Sequence, residues 1–176
     1  MNIVVLVKMV PDTESRLEIT DGKVNESGFK YMVNPYDEFA VEQAVQFKEA
    51  EGGKVTLVSL FSNDSSIDTD LRKMMAIGAD EAVVLRQEGY RGDRPSANAK
   101  TISDAIADMN ADLVIGGVQG IDYYQGATGP MVAHMLGIPP VSYTHLRAHE
   151  TREDRVCRLV VEKKKGGGGG GGGGGG

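Results

Sequence analysis

The sequence predicts an α/β fold, in which helices cover both faces of a doubly wound, mostly parallel sheet. Short runs rich in valine, isoleucine and leucine show no alternation with polar residues, as expected of strands buried on both faces. Apolar residues at helical spacing fill the segments between these runs. Glycine, proline or asparagine stands at the junctions, so strands alternate with helices, an order that produces parallel sheets.

The first part of the chain contains one strand, an excursion and the first helix. Residues 2–7 (NIVVLV) form the first predicted strand, which stops at the Pro-Asp pair that follows. Residues 17–33 carry two turn sequences, Asp-Gly and Asn-Glu-Ser-Gly, and are interpreted as a hairpin excursion. Asn34 is predicted to be the N-cap, and Pro35 the first residue, of a helix that ends at the glycine pair 52–53.

The remaining elements continue the alternation to residue 136. Each predicted strand is followed by a helix whose inward residues recur at spacings of three and four. In chain order they are a strand at 54–60, a helix from about 66 to 78, a strand at 82–85, a helix at 96–109, a strand at 112–115 and a helix at 130–136.

The end of the chain differs from the rest. Eleven consecutive glycines occupy residues 166–176, and a glycine-only run buries no apolar surface. Residues 141–150 (VSYTHLRAHE) can be written in codons that match a sequencing-library transposase adapter, and the lysines at 163–165 then correspond to poly-A. We therefore interpret residues 141–176 as an artefactual, disordered tail and residues 1–140 as the domain. An engineered glycine linker is the alternative, but it leaves residues 141–150 unexplained.

The composition of residues 1–140 excludes several classes of function. Their 12 basic and 21 acidic side chains give a net charge of −9, which argues against nucleic acid or an anionic membrane as the main partner. The only histidine is His134 and there is no cysteine, which excludes disulfides, thiolate nucleophiles and Cys/His zinc sites. No apolar run reaches the length of a membrane span, and the first strand leaves no room for a targeting peptide. We therefore expect a cytoplasmic protein without direct membrane insertion.

Residues 116–129 (GGVQGIDYYQGATG), between the last predicted strand and helix, are the strongest candidate for a ligand site. Their five glycines precede a helix N-terminus, where backbone N–H groups suit a phosphate. Ligands of open parallel sheets bind at the carboxyl ends of the strands, where this loop is expected to lie. Gln125 and Thr128 can add donors, whereas the lack of lysine and arginine favours a monophosphate that is bound but not turned over. The alternative is a loop with ordinary turn glycines.

Other polar residues point less clearly to a site. The turn after the first strand has no glycine, so the dinucleotide fingerprint of ordinary Rossmann oxidoreductases is absent. The helix start at 34–38 is explained by capping and the helix dipole, or it borders a nucleotide if it faces the glycine-rich loop. Lys8 is interpreted as a surface charge, and His134 as structural or exposed. We expect no catalytic residue and no metal ligand.

Four stretches resemble, in this order, the beta subunit of electron transfer flavoprotein. They are residues 5–12 (VLVKMVPD), 33–44 (VNPYDEFAVEQA), 75–82 (MAIGADEA) and 117–130, and the similarity covers essentially all of residues 1–140. The segment Asn-Pro-Tyr-Asp-Glu-Phe-Ala is the most specific of these. The resemblance implies an adenine-nucleotide-binding, Rossmann-like fold that is truncated at the C-terminus here, because beta chains continue well beyond residue 140.

The resemblance also implies a function. A beta subunit forms a heterodimer with an alpha subunit that holds the redox-active FAD, and itself holds one AMP as a structural ligand. Electrons pass from acyl-CoA and related dehydrogenases, as in fatty acid β-oxidation, through that FAD to a quinone oxidoreductase. The chain is thus expected to be an electron-carrier subunit and not an enzyme. Carried over by position, the implied AMP-binding residues are Leu6, Asn34, Pro35, Tyr36, Asp37, Leu60, Gly117, Val118, Gln119, Gly120, Ile121, Asp122, Tyr123, Tyr124, Gln125, Gly126, Ala127 and Thr128.

Departures from the family pattern at residues 118, 120 and 123–125 leave the nucleotide open. An electron-bifurcating branch of the family holds a second FAD in this subunit, although the bulky tyrosine pair favours AMP. A stand-alone ATP-binding module of the universal-stress type is another interpretation. Its phosphate loop, G-x2-G-x9-G-[ST], is approached by the glycines at 117, 120 and 129, with a gap one residue too short. An amide-forming adenylating enzyme needs a Ser-Gly-Gly-x-Asp-Ser loop after the first strand, which is missing.

Overall fold

The computed structural model describes residues 1–62 and 67–141, apart from the side chain of Ser27. Within them, a four-stranded sheet lies between helices, and two short strand pairs stand beside it. The strands are β1 (Asn2–Leu6), β2 (Met9–Pro11), β3 (Ile19–Thr20), β4 (Lys23–Val24), β5 (Tyr31–Val33), β6 (Lys54–Phe61), β7 (Glu81–Arg86) and β8 (Leu113–Gly116), and the helices are α1 (Pro35–Glu51), α2 (Ile67–Ile77), α3 (Pro95–Ile106) and α4 (Thr128–Met135). Residue 66, the predicted start of α2, and residues 142–176 of the predicted tail lie outside the described residues.

The strands of the main sheet run parallel in the order β7–β6–β1–β8. β1 pairs with β6 on one side, with Val4 opposite Thr56, and with β8 on the other, with Val4 opposite Val114. The chain therefore moves outward from β1 on one side and then crosses to the other. This reversal creates a topological switch point between the carboxyl ends of β1 and β8, the position where open α/β sheets bind ligands.

Alternate residues of the strands pack against opposite helical layers. Ile3 and Val5 belong to the core formed with α1 and α2, whereas Val4 belongs to the core formed with α3 and α4. All three side chains are fully buried. This two-sided burial explains why β1 has an unbroken apolar centre, and it confirms the predicted doubly wound α/β class.

Two antiparallel strand pairs precede α1. The first predicted strand covered residues 2–7, whereas β1 ends at Leu6 and the separate strand β2 follows it. β3 and β4 form the hairpin expected at the Asp-Gly turn, with Asp21 in the left-handed region at φ 51°. β5 does not extend this hairpin but pairs with β2, with Met9 opposite Val33. The sequence interpretation left residues 9–11 without a partner, since the two strands are far apart along the chain. Their pairing brings the start of α1 next to the end of β1, where the backbone N–H of Asn34 donates to the carbonyl of Lys8 (2.9 Å).

Candidate functional site

A cleft opens at the carboxyl ends of β1 and β8, at the switch point of the sheet. It encloses about 760 Å³ of space between protein atoms, a figure that includes the part open to solvent. The ends of β1 and β6, the start of α1, the first turns of α3 and the glycine-rich loop with the start of α4 form its walls. Segments far apart along the chain therefore meet at one place.

Asn34 ties the start of α1 to the glycine-rich loop. Its Oδ1 accepts a hydrogen bond from the backbone N–H of Ile121 (3.2 Å), and its Nδ2 donates to the carbonyl of Gln119 (3.0 Å). Asn34 occupies the predicted N-cap position, but its side chain makes no capping hydrogen bond to α1. The capping explanation is thus wrong for this side chain, because the loop backbone takes both of its polar groups. The helix start therefore faces the glycine-rich loop, which is the condition that the second interpretation of it required.

Asp37, in the first turn of α1, joins the ends of β1 and β8. Its carboxylate accepts hydrogen bonds from the backbone N–H groups of Lys8 (2.7 Å) and Gly117 (3.0 Å), and the residue is only 4% exposed. Burial raises the pKa of the Asp37 carboxyl to about 7, against the opposing effects of these N–H donors, of the Asn34 side chain and of the Lys8 charge. A Cβ at Gly117 would collide with Asp37 Oδ1 and lie 3.0 Å from the backbone carbon of Tyr36. The lack of a side chain at Gly117 therefore allows the start of α1 to lie this close to the end of β8.

Lys8 forms a second connection between β1 and the loop. Its Nζ donates to Asp122 Oδ1 (2.7 Å) and lies 5.4 Å from the centre of the Tyr123 ring. The backbone N–H of Tyr123 donates to the same carboxylate oxygen (2.9 Å). A Cβ at Gly120 would stand 2.8 Å from Lys8 Nζ and 2.5 Å from Asp122 Oδ1, so a larger residue there would force these two side chains to shift. Lys8 is not a free surface charge; among the described residues lining the cleft, it is the one cation, and it is already paired.

The end of the loop leads into α4, whose N-terminus faces the cleft. Gly126, Ala127, Thr128 and Gly129 all line the cleft, and no side chain caps the helix. The first N–H groups of a helix lack intrahelical partners and carry its positive dipole end. Together with the glycines, this arrangement offers backbone donors to a small anion such as a phosphate.

One part of the cleft wall is apolar and aromatic. Leu6 and Leu60 lie at the ends of β1 and β6, and Ile102 projects from α3. Tyr90 borders the same space, and burial raises the pKa of its phenol, so the hydroxyl stays protonated. Asn98, in the first turn of α3, also lines the cleft and is 6% exposed. This wall suits a flat, largely apolar group such as a nucleobase.

A second cleft adjoins the first. It has about 810 Å³ of empty space, and Tyr90, Gly92 and Tyr123 line both clefts. Tyr123 packs closely on the loop after β7, since a Cβ at Gly92 would lie 3.0 Å from its ring. Tyr31 and Phe61 line the second cleft, with their ring centres 4.8 Å apart.

The structure brings together most of the residues implied by the family resemblance. Thirteen of the eighteen line the first cleft, so the segments chosen from the sequence converge on one space. Those that line it are Leu6, Asn34, Asp37, Leu60, Gly117, Val118, Gln119, Gly120, Tyr123, Gln125, Gly126, Ala127 and Thr128. The other five do not belong to this lining and are Pro35, Tyr36, Ile121, Asp122 and Tyr124.

Sequence reasoning missed three polar residues of the cleft, Lys8, Tyr90 and Asn98. Lys8 follows directly after β1, and this position could have marked it as a site residue. Asn98 stands four residues before Ile102 on the inward stripe of α3, where a polar residue is unusual. Tyr90 carried no comparable pattern, because it lies in a loop. His134, interpreted as structural or exposed, is exposed on α4.

The walls of the cleft combine a buried acid, a paired lysine, amides and backbone donors, and no histidine, cysteine or serine of the described residues lines it. In the part of the chain that the structure describes, no three histidine, cysteine, aspartate or glutamate residues are placed to bind a metal ion. No helix in the same ranges has the length and apolar character that a membrane crossing requires.

Comparisons with known proteins give the family. The electron transfer flavoprotein domain matches residues 21–164. The electron transfer flavoprotein subunit beta of Thermoanaerobacterium thermosaccharolyticum is 38% identical over 164 residues, which are 93% of this chain and 60% of that protein. The subunit of the same name from Bacillus subtilis is 35% identical over 81% of this chain and 55% of its own length. The acryloyl-CoA reductase electron transfer subunit gamma of Anaerotignum propionicum is 34% identical over 81% of this chain and 54% of its own length.

The chain thus spans a little over half the length of the relatives that it matches. The match confirms the resemblance found in the sequence, and it confirms the Rossmann-like fold expected from it. The family consists of electron carriers, in agreement with the prediction of a carrier subunit that is not an enzyme. On these grounds, the chain belongs to the electron transfer flavoprotein domain family.

Proposed function

We propose that the chain is the nucleotide-holding part of an electron transfer flavoprotein beta subunit and that its cleft binds AMP as a structural ligand. In this proposal an alpha subunit completes a cytoplasmic heterodimer and holds the FAD. Electrons pass from acyl-CoA or related dehydrogenases through that FAD to a quinone oxidoreductase. The FAD supplies the redox chemistry, and the residues of this chain bind and orient.

The observation that carries the proposal is the position and construction of the cleft. It lies at the switch point of the sheet, and one of its ends is the uncapped N-terminus of α4 behind the glycine-rich loop. That end provides backbone donors for one phosphate. Leu6, Leu60 and Ile102, which also line the cleft, provide an apolar surface for a base. A nucleoside monophosphate has the matching distribution of charge and apolar surface.

The same construction argues for a small phosphate group. Lys8, the one cation that lines the cleft in the described residues, is neutralised by Asp122 at 2.7 Å. Asp37 is buried close to the strand ends, where it would repel further negative charge if ionised. A triphosphate normally needs a free lysine and Mg²⁺. A monophosphate held by backbone N–H groups requires neither.

The universal-stress-type alternative is weakened by the surroundings of two glycines. Gly117 and Gly120 match the start of the ATP-binding pattern, but a protein group lies close to each of them here. Gly117 admits the Asp37 carboxylate, and Gly120 admits the Lys8 side chain. The glycines thus have an explanation that does not involve a triphosphate.

FAD in this subunit is a second candidate, which the adjoining cleft favours. The two clefts meet along Tyr90, Gly92 and Tyr123, so a ligand longer than AMP has space in which to extend. The exposed position of Tyr123 means that its ring can turn without the unfolding of a core element. The bound nucleotide itself distinguishes the two candidates.

The test is the nucleotide content of the purified complex. The chain is co-expressed with its alpha partner, the complex is denatured, and the released nucleotides are separated and quantified. We expect one AMP and one FAD per heterodimer. Two FAD and no AMP would establish the second candidate, whereas ATP, or no nucleotide beside the alpha-subunit FAD, would refute both.

A further inference from the structure

Asn98 is a buried amide whose orientation is fixed by the protein. Its Nδ2 donates a hydrogen bond to the backbone carbonyl of Arg91 (2.9 Å), and the residue is 6% exposed. A carbonyl oxygen can only accept, so the nitrogen of the side chain must face Arg91. The backbone N–H of Asn98 donates to the carbonyl of Arg94 (3.0 Å), which holds the residue at the start of α3. The amide oxygen is therefore directed away from the loop that precedes the helix.

This oxygen is available to a ligand. No backbone or side-chain donor in residues 1–62 and 67–141 bonds to Asn98 Oδ1. The protein does not seal it either, since Ser59 Oγ is the single fully enclosed side-chain polar atom without a partner in these ranges. Asn98 lines the first cleft, so the oxygen opens into that space. A buried acceptor at the wall of a cleft is expected to receive a hydrogen bond from whatever fills it.

The surroundings of this acceptor define the chemistry of its partner. Ile102 stands one helical turn further along α3, and Leu6 and Leu60 complete the apolar wall around it. A group that reaches Asn98 therefore has a flat apolar body and an N–H donor on its edge. The exocyclic amine of adenine has this character, whereas the corresponding position of hypoxanthine or guanine carries an oxygen.

We infer that Asn98 determines the base specificity of the nucleotide site, its amide oxygen accepting a hydrogen bond from the exocyclic amine of adenine. The inference rests on the proposed function, because it concerns the nucleotide held in the same cleft. With an oxo purine, two acceptors would face each other. With an unsubstituted purine, the buried amide oxygen would have no partner. Either mismatch costs affinity, since a buried polar group without a hydrogen bond is unfavourable.

The experiment compares three ribonucleotides that differ only at one edge of the base. Dissociation constants of AMP, IMP and purine riboside 5′-monophosphate are measured by equilibrium dialysis on nucleotide-depleted complex. The wild-type protein is expected to prefer AMP over the unsubstituted purine by about tenfold to a hundredfold. In Asn98→Leu, which has a similar volume and no acceptor, this preference is expected to fall to about threefold or less.

Two further variants separate recognition of the base from support of the loop. Asn98→Asp keeps an acceptor for the amine but loses the donor to Arg91, and the preference for AMP is expected to persist. Lys100→Gln, at an exposed position of the same helix, is expected to bind all three nucleotides as the wild type does. Since the result is a ratio of affinities within one protein, a general loss of stability does not imitate it.

Each outcome bears on a different statement. Failure of AMP to bind to the wild-type complex would refute the proposed function and this inference with it. Binding of AMP without preference over the unsubstituted purine would overturn only the role of Asn98, even if no variant folds. An undiminished preference in Asn98→Leu would overturn it as well.

Discussion

Replacement of Asp37 by asparagine is expected to change how the stability of the protein depends on pH. Asp37 is the one charged residue that the described part of the fold buries, and its two oxygens accept the N–H groups of Lys8 and Gly117. Asparagine has nearly the same shape but offers one acceptor and cannot ionise. The variant therefore separates the effect of the charge from the effect of the side-chain volume.

The magnitude follows from the raised pKa of Asp37. Its pKa is about 7 in the fold against 3.8 for a solvated carboxyl, so the folded protein keeps a proton that the unfolded chain releases. The free energy of unfolding of the wild type therefore falls as the pH rises from about 4 to about 7, by about 4 kcal/mol in total. Asp80 and Asp93 have lowered pKa values, so their contributions to stability are lost as the pH falls below about 5, and the change above pH 5 is attributed to Asp37.

In the asparagine variant, the free energy of unfolding should lack this pH dependence but should be lowered by the loss of a hydrogen bond. One of the two converging N–H groups loses its acceptor, at a cost of about 1–3 kcal/mol that does not depend on pH. The variant is thus expected to be less stable than the wild type near pH 4.5 and more stable near pH 8. Urea unfolding in steps of one pH unit measures both curves, and Glu38→Gln, at the exposed neighbouring position, serves as the control. Parallel curves for the wild type and Asp37→Asn between pH 5 and 7 would show that the buried carboxyl does not titrate in this range.

Three other substitutions test the packing of the loop. Lys8→Met leaves Asp122 without its partner, and a double-mutant cycle with Asp122→Asn is expected to give a coupling of about 1–2 kcal/mol in urea unfolding; a coupling near zero would contradict the connection between β1 and the loop. Gly117→Ala brings a Cβ against Asp37 and is expected to cost about 1–3 kcal/mol, whereas Gly28→Ala, which meets open space, should leave the melting temperature unchanged; equal effects of the two would refute the steric argument. Tyr124 has φ 53° and is exposed, so Tyr124→Asn should raise the unfolding free energy by about 1 kcal/mol, and a clear loss would mean that the ring makes a stabilising contact.

Local patterns predicted the elements of the fold well. The apolar run of β1, the Asn-Pro start of α1 and the glycines before α4 are each determined by neighbours within a few residues, so periodicity and turn chemistry were sufficient. The pairing of β2 with β5 was not predicted, because three-residue strands carry little pattern and their partners are separated by the hairpin. Strand order likewise depends on contacts between distant segments.

In the candidate site, too, features determined by local sequence were predicted, whereas features that depend on distant segments were not. The glycine-rich loop was recognised because its composition is unusual by itself. The roles of Lys8 and Asp37 were not, since their partners Asp122 and Gly117 lie 114 and 80 residues further along the chain. An acid in the first turn of a helix is normally exposed and interacts favourably with the helix dipole. This general rule led to the expectation of an exposed Asp37, whereas its side chain is buried. The contacts of such residues become visible only when the segments that they join are seen together.

The ion pair between Lys8 and Asp122 also has a kinetic consequence. A cleft in which the one lysine among the described lining residues is already paired presents little attractive field to an approaching phosphate, and the surrounding surface of a strongly acidic domain repels it. For the proposed nucleotide, we therefore expect an encounter that is slow by the standards of electrostatically steered ligands and that added salt accelerates by screening the repulsion. Retention of that nucleotide would then depend on slow escape, through short-range hydrogen bonds that form only after entry. Such a site suits a ligand acquired once, while the protein folds, and kept for its lifetime.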